Sequence, residues 1–420
     1  MKSKRILVWF RNDLRLHDNE MLVEAIAKSD AILPVYFFDP RHFDADQVNR
    51  SGFLRTKFLM ESVEALRMAF QQLNGNILIV RGMPEDHLPG LVEQYDISEV
   101  YHHREVAPAE THVSAEVEDR LWKLKVNLKH FIGHTLYNKE DLPFPIKDIP
   151  DVFTQFKKKT ERDAIVKPCI ETPVHVEFVE SDDWGALPAL AELLPDETLG
   201  GAPRGHGITG GEEAGLTHLT ELLSEDSALY RKPSAKDRSG KASNLSAWLS
   251  LGCLSPRKVY WAVKAAEERF GNNPNFNHLI LGLLWRDYFR FMFKKHGAHF
   301  LAESLLKTEL AAEAEEDLIF EGWKNAQTGH SLIDRLMKEL NCTGFLPYSS
   351  RILVATFLIH VLKVNWMKGA AYFEERLIDY TTASNWGNWA SIAEGGKAAK
   401  SKHAFDVDKQ LELLRSSALV

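Results

Sequence analysis

Cysteine is scarce in this chain: Cys169, Cys253 and Cys342 stand far apart in 420 residues, with no C-x-x-C spacing. They cannot supply a four-thiolate zinc site or an iron–sulfur cluster, and no metal site is expected. Such sparse thiols suit a reducing compartment and read as buried, inert side chains. Long apolar runs are missing too, since stretches such as 352–362 are short of a membrane span and carry His360. The apolar run 6–10 gives way at once to RNDLRLHD, which argues against a secretory signal. We therefore expect a soluble, cytoplasmic protein with no membrane contact. Positive charge is not in excess: 51 Lys and Arg face 59 Asp and Glu, a formal net charge of −8. General adhesion to nucleic acid is excluded, and any DNA-binding groove must be local. No G-x-G-x-x-G follows the first expected strand, which argues against a nicotinamide enzyme.

What is present is globular, with 45% hydrophobic and 26% charged residues and length enough for two or three domains. Short apolar runs at 6–10, 31–38, 76–80, 99–102 and 126–131 alternate with amphipathic stretches at 19–28, 53–73, 84–94 and 109–124. This is a βαβ series, which predicts a Rossmann-like parallel sheet covered on both faces. From about 133 to 205 the pattern loosens into prolines, acidic pairs and glycines, as an interdomain connector does. Helical periodicity then dominates at 212–223, 256–270, 276–295, 329–340, 350–362 and 368–377. The expected division is 1–132 (α/β), 133–205 (connector) and 206–420 (all-α). There is no internal repeat, and Lys157–Lys159 reads as a solvated helix face.

Chemistry concentrates in the helical half. In GLLWRDYFRF, Gly282, Trp285, Arg286 and Phe289 share one helix face; taken alone this is an amphipathic core helix, or an aromatic ring beside a guanidinium that suits a base or an isoalloxazine-like ligand. Ser243, Asn244 and Ser246 gather just ahead of a helical run, where they either offer donors to a phosphate or cap the helix. Arg351 and Asp379 are opposite charges in apolar surroundings that could pair. Asn385 and Trp389 lie four apart in NWGNW.

The order of these features closely resembles the photolyase/cryptochrome family, and within it the DASH-type cryptochromes. The likeness runs from WFRNDLRLHDN (9–19) through LYNKEDLPFPIKDIPDVFTQFKKK (136–159), LSLGCLSPR (249–257), LLWRDYFRF (283–291) and NCTGF (341–345) to LIDYTTASNWGNW (377–389). It implies FAD, bound folded in the helical domain. Tyr230, Ser243, Asn244, Leu245 and Ser246 match positions around the FAD phosphates, although Ala242 replaces the usual hydroxyl residue. Arg286 joins this set, Arg351 and Asp379 match a buried pair beside the isoalloxazine, and Asn385 matches the side chain facing flavin N5. Trp389 and Trp366 match the flavin-proximal and middle members of an electron-transferring tryptophan chain. The third, surface tryptophan belongs between Trp285 and Trp323, and none occurs there. In the α/β domain Glu110 of REVAPAE resembles the carboxylate that holds the pterin of a folate antenna (5,10-methenyltetrahydrofolate), or it simply opens an exposed helix.

The substrate side departs from the family. Gly282 stands where a carboxylate reads the damaged pyrimidines of a flipped dinucleotide. GFLPYSSR replaces the usual GFMSNRGR, so Tyr348 and Ser349 take the places of an asparagine and an arginine, with Trp285 and Arg286 retained. Thr381 replaces an aspartate that accepts from flavin N3–H, a loss of about 1–3 kcal/mol if that donor goes unpaired. The family continues for several dozen residues past FDVDKQ, so part of the usual rim is expected to be absent; a second copy of the chain could cover that face. EGGKAAKSKHAF (394–405) is a basic segment that either touches phosphates or is a solvated loop. The expected function is a blue-light-responsive flavoprotein, sensor or redox protein, with DNA binding and repair weakened. A deoxyribodipyrimidine photolyase acting on single-stranded DNA, and a flavin-less interaction module on the same fold, stay open; no signalling partner is legible.

Overall fold

The computed structural model describes residues 3–44, 51–195, 207–225, 227, 243–271, 273–297, 313–393, 409, 410 and 412. Five parallel strands, β1 (Arg5–Phe10), β2 (Ala31–Phe38), β3 (Leu78–Arg81), β4 (Glu99–His103) and β5 (Asn127–Phe131), form one sheet in the order β3-β2-β1-β4-β5. The order reverses between β1 and β4, as in doubly wound α/β folds. Strand β1 is apolar from Ile6 to Phe10 because both its faces are covered there. Ile6, Val8 and Phe10 point into one core, and Leu7 and Trp9 into the other. Helices α1 (Glu20–Lys28), α2 (Phe53–Gln72), α3 (Pro84–Gln94) and α4 (Pro108–Lys123) supply the covering layers. The third strand starts at Leu78 rather than 76, because the Asn76 side chain accepts from its neighbour Ile77 N–H and from Arg67 Nε and so stands outside the ladder.

The connector is more regular than its prolines suggest. It contains α5 (Phe153–Asp163), which buries Phe153, Phe156 and Thr160. Lys157 does lie on its outer side, paired with Glu161 at 2.6 Å. Further on, residues 177–179 hydrogen-bond the start of β2 through Ile32, filling the edge ahead of the point where β3 begins.

The rest of the described chain is helical: Glu212–Leu222, Ser246–Ser250, Pro256–Phe270, Pro274–His296, Glu313–Lys324, Ser331–Thr343, Tyr348–Thr356, Trp366–Arg376 and Thr382–Ala393. Three of these, Ser246–Ser250, Glu313–Lys324 and Thr382–Ala393, lie beyond the helices expected from periodicity. The 350–362 stretch is not one α-helix but an α-helix ending in a π turn, Phe357–Val361. There, His360 contacts the carbonyl of Ile392 at 3.1 Å. Among the described residues no helix is long and apolar enough to cross a membrane.

The segment after β1 joins the sheet to the helices. Arg15 donates to the carbonyls of Gly252 and Gly133, both at 2.9 Å, Leu16 and His17 N–H bind Glu212, and Asp18 pairs with Arg257 at 2.7 Å. Gly252 permits the approach. Its φ is +66°, and a Cβ there would lie 2.0 Å from the Asn12 carbonyl oxygen. Cys253 is buried in this joint and its thiol is pushed up to about 11 by burial. Cys342, by contrast, is exposed, which corrects the expectation of three buried thiols.

Candidate functional site

Helices Tyr348–Thr356, Trp366–Arg376 and Thr382–Ala393 bring the expected residues together. Arg351 Nη2 donates to Asp379 Oδ2 at 2.7 Å, while its Nε holds the Leu346 carbonyl at 2.7 Å. The Asp379 side chain is 2% exposed, and its second oxygen, Oδ1, is buried without a partner. An unpaired acceptor in such surroundings costs free energy unless a donor arrives. Asn385, also buried, is oriented by an amide bond to the Ala370 carbonyl at 2.9 Å. One turn on, Trp389 packs against Trp323, Phe373 and the bare backbone of Gly369, where a Cβ would fall 2.4 Å from Trp389 Cη2. Trp366 lies one turn from Gly369 on the same helix, fully buried, with an unpartnered Nε1 donor.

The Ser243–Ser246 cluster is not an ordinary cap. Leu245 holds the N-cap position with no side-chain cap bond, and Asn244 takes φ +56° with its Oδ1 buried and unpartnered. The Ser243 carbonyl meets His218 Nε2 at 2.8 Å. Thr381 is half-buried at the head of its helix, its carbonyl accepting from Asn385 N–H. Tyr230, Ala242 and 394–405 lie outside the described residues.

The pairing of Trp285 with Arg286 against a base does not survive the side-chain geometry. Trp285 stacks on Phe153 of α5 with ring centroids 3.5 Å apart. Arg286 turns to the carbonyls of Leu249 and His134, at 2.8 and 3.4 Å. Burial holds its pKa down at about 10, and it serves the joint between the two halves. Gly282 faces open space, with nothing within 4 Å of an added Cβ. Tyr348 is 54% exposed and bridges to Asn388 Oδ1 at 3.2 Å, linking two helices of the site, with exposed Ser349 beside it.

Glu110 opens its helix as a half-buried capping residue that also reaches across the junction. Its Oε2 accepts from Ala107 N–H at 3.2 Å, and its Oε1 from the Thr382 hydroxyl at 3.1 Å, across the junction. Burial, then the negative charge of Glu105, push its pKa up to about 7. Sequence reasoning missed Trp323, Trp386 and Thr382. Trp386 lies within the NWGNW motif and Trp323 well ahead of it, and only tertiary contacts reveal their neighbours.

Residues 6–174 match the family model for DNA photolyase, and residues 279–414 that for the FAD binding domain of DNA photolyase. A cryptochrome DASH of Gloeobacter violaceus is 39% identical over 417 residues, covering 98% of this chain and 83% of the relative. This chain belongs to the DASH cryptochromes of the photolyase/cryptochrome family. The cryptochrome DASH of Arabidopsis thaliana, described as chloroplastic/mitochondrial, is 36% identical over 97% of this chain and 73% of its own length. A Synechocystis cryptochrome structure superimposes with a TM-score of 0.87 at 35% identity, covering 99% of this chain and 88% of that one. The present DASH cryptochrome is thus an FAD-binding flavoprotein with the α/β-plus-helical architecture of its family. The buried acceptors fit that cofactor: Asp379 Oδ1 and Asn244 Oδ1 have no partners, and Phe373, Tyr380 and Trp389 supply aromatic side chains in the helical core.

Proposed function

We propose that this DASH cryptochrome acts through light-driven reduction of its FAD, as a sensor or redox protein, with repair of cyclobutane pyrimidine dimers curtailed. The observation that carries this reading is the convergence of Asp379, Asn385 and Trp389 on two consecutive segments, while Gly282 offers no side chain and Tyr348 crosses to Asn388. Bound FAD supplies a blue-light chromophore and a one-electron acceptor. Tyr230, Ser243, Asn244, Leu245, Ser246, Arg351, Asp379, Thr381 and Asn385 form the holding set. Arg351 fixes the Asp379 side chain through Oδ2 and leaves the second oxygen, Oδ1, without a partner and open to a donor. The Asn385 amide is locked by Ala370, which sets the direction of its carbonyl. Trp389 and Trp366 serve as electron donors, their indoles screened from water by the surrounding aromatic cluster. Arg286 drops from the base-facing set because its guanidinium is committed to backbone carbonyls.

Glu110 supports a folate antenna at the junction, where a neutral or ionised carboxyl meets Thr382. The working division remains 1–132, 133–205 and 206–420. DNA, if bound, meets a pocket in which three polar contacts, at Gly282, Tyr348 and Ser349, are replaced. A second reading, a working photolyase on single-stranded DNA, is favoured by the open space at Gly282.

Purified protein, reconstituted with FAD, should show oxidised flavin absorption that bleaches under blue light with a thiol present. A protein that cannot take up FAD, or whose flavin does not bleach, refutes the light-driven reading. Turnover on an ultraviolet-irradiated single-stranded oligonucleotide under blue light would refute the loss of repair.

A further inference from the structure

The two tryptophans assigned to electron transfer are sealed from solvent, Trp389 at 2% and Trp366 at 1% exposure. The stretch between Trp285 and Trp323 holds no other indole. A positive charge left on a buried indole recombines unless it moves outward or sheds a proton. Both routes exist elsewhere. Trp366 packs edge to face on Trp386, with centroids 5.8 Å apart and planes at 75°. Trp386 is half-buried, and its Nε1 donates to Glu374 Oε2 at 3.1 Å, with the Tyr380 hydroxyl at 3.3 Å. Burial raises the Glu374 pKa above its usual range, against the opposing charge of Arg55, so this carboxylate is a stronger base than an exposed one. Arg55, which also covers the Tyr380 ring, is the charged group facing Glu374 from α2.

The other branch from Trp389 is blind. Trp323 lies 6.4 Å away and touches Tyr372 at 5.8 Å, but Trp323 is fully buried with its Nε1 on the Val354 carbonyl. The Tyr372 hydroxyl donates to the Asn341 amide oxygen and reaches the Lys324 carbonyl, and the ring is flanked by the cations of Lys324 and Arg376. Glu375 lies near enough to act on it electrostatically, but among the described residues no carboxylate accepts from this hydroxyl.

We infer that Trp386 is the outer relay of the electron path and that Glu374 accepts its proton. This rests on the light-driven FAD reduction proposed above. One electron passes from Trp386 through Trp366 and Trp389 to photoexcited oxidised FAD. The Trp386 N–H bond breaks heterolytically, the proton goes to Glu374, and a neutral indolyl radical remains beside a neutral carboxyl. A thiol in solution gives one hydrogen atom back to the indole nitrogen and leaves as a thiyl radical; Glu374 then releases its proton to water.

The test compares full-length, FAD-loaded wild type with Trp386→Phe, Glu374→Gln and Trp389→Phe by transient absorption after a blue pulse, alongside FAD affinity by titration. Trp386→Phe should bind FAD within about twofold of wild type yet shorten the radical pair's lifetime about tenfold. Glu374→Gln keeps a hydrogen-bond acceptor but no base, so the cationic indole signal should persist and the neutral indolyl yield should fall severalfold. A neutral indolyl signal of wild-type size and lifetime in Trp386→Phe overturns the relay, and unchanged deprotonation in Glu374→Gln overturns the proton acceptor. If wild type shows no flavin reduction, the light-driven reading fails and the inference with it; reduction unaltered in Trp389→Phe removes the tryptophan route and the inference, while light-driven reduction stands. Loss in Trp389→Phe with no change in Trp386→Phe defeats the inference alone.

Discussion

Replacing Glu110 by glutamine isolates one proton at the junction of the sheet and the helices. In the folded chain this carboxyl is pushed from 4.5 up to about 7, by burial first and then by Glu105, with Arg11 and Arg290 pulling the other way. At about 1.4 kcal/mol per pH unit, that displacement corresponds to about 3 kcal/mol of stability. The folded state holds the proton more tightly than the unfolded chain does. The contribution is therefore complete below pH 4.5, is lost as pH rises from 4.5 to about 7, and stays constant above.

Glutamine mimics the protonated acid in shape and neutrality, and the Thr382 hydroxyl can turn to accept from its amide. The variant should thus match wild type near pH 4.5 and exceed it at pH 8 by about 2–3 kcal/mol. Urea unfolding followed by tryptophan fluorescence, run on both proteins at several pH values, measures the difference and cancels every other titrating group. Parallel stability curves for the two proteins would refute the argument. So would a glutamine variant that loses ground at high pH.

Gly252→Ala should cost about 2 kcal/mol or more, since a side chain at φ +66° meets the Asn12 carbonyl oxygen at 2.0 Å; wild-type stability in the same urea assay would show that the joint can yield. Asp379→Asn removes the charge of a buried hydrogen-bonded pair and should weaken FAD binding by about 10- to 100-fold, consistent with about 1.5–3 kcal/mol for a charged hydrogen bond. An unchanged dissociation constant by titration calorimetry would take Asp379 out of the cofactor set. Gly282→Glu fits the open space at that position and should fold normally, yet by itself should restore no repair of an irradiated oligonucleotide while Tyr348 spans to Asn388. Repair by the single variant would mean that Tyr348 does not obstruct the cavity.

What the sequence made legible was whatever depends on local pattern. Strands β1 and β2 stand out because both their faces are buried and the runs Ile6–Phe10 and Ala31–Phe38 are free of charged residues. The Arg351–Asp379 pair was foreseeable as two charges in apolar surroundings, and it forms at 2.7 Å. Helix Thr382–Ala393 was hidden by its own composition, for Thr, Ser, Asn and Gly favour helix only weakly. Its stability is tertiary: Gly387 lets Phe289 approach so closely that a Cβ would fall 2.4 Å from that ring. Side-chain direction was hidden for the same reason. Helical spacing puts Trp285 and Arg286 next to each other, yet one is drawn to Phe153 from the connector and the other to carbonyls at residues 134 and 249. Partners separated by that much chain leave no periodic trace. The same reasoning explains Trp386, which a reading of NWGNW treats as a spacer between Asn385 and Trp389. Its ring meets Trp366 and its N–H meets Glu374, both from the preceding helix, so its chemistry exists only once those helices pack.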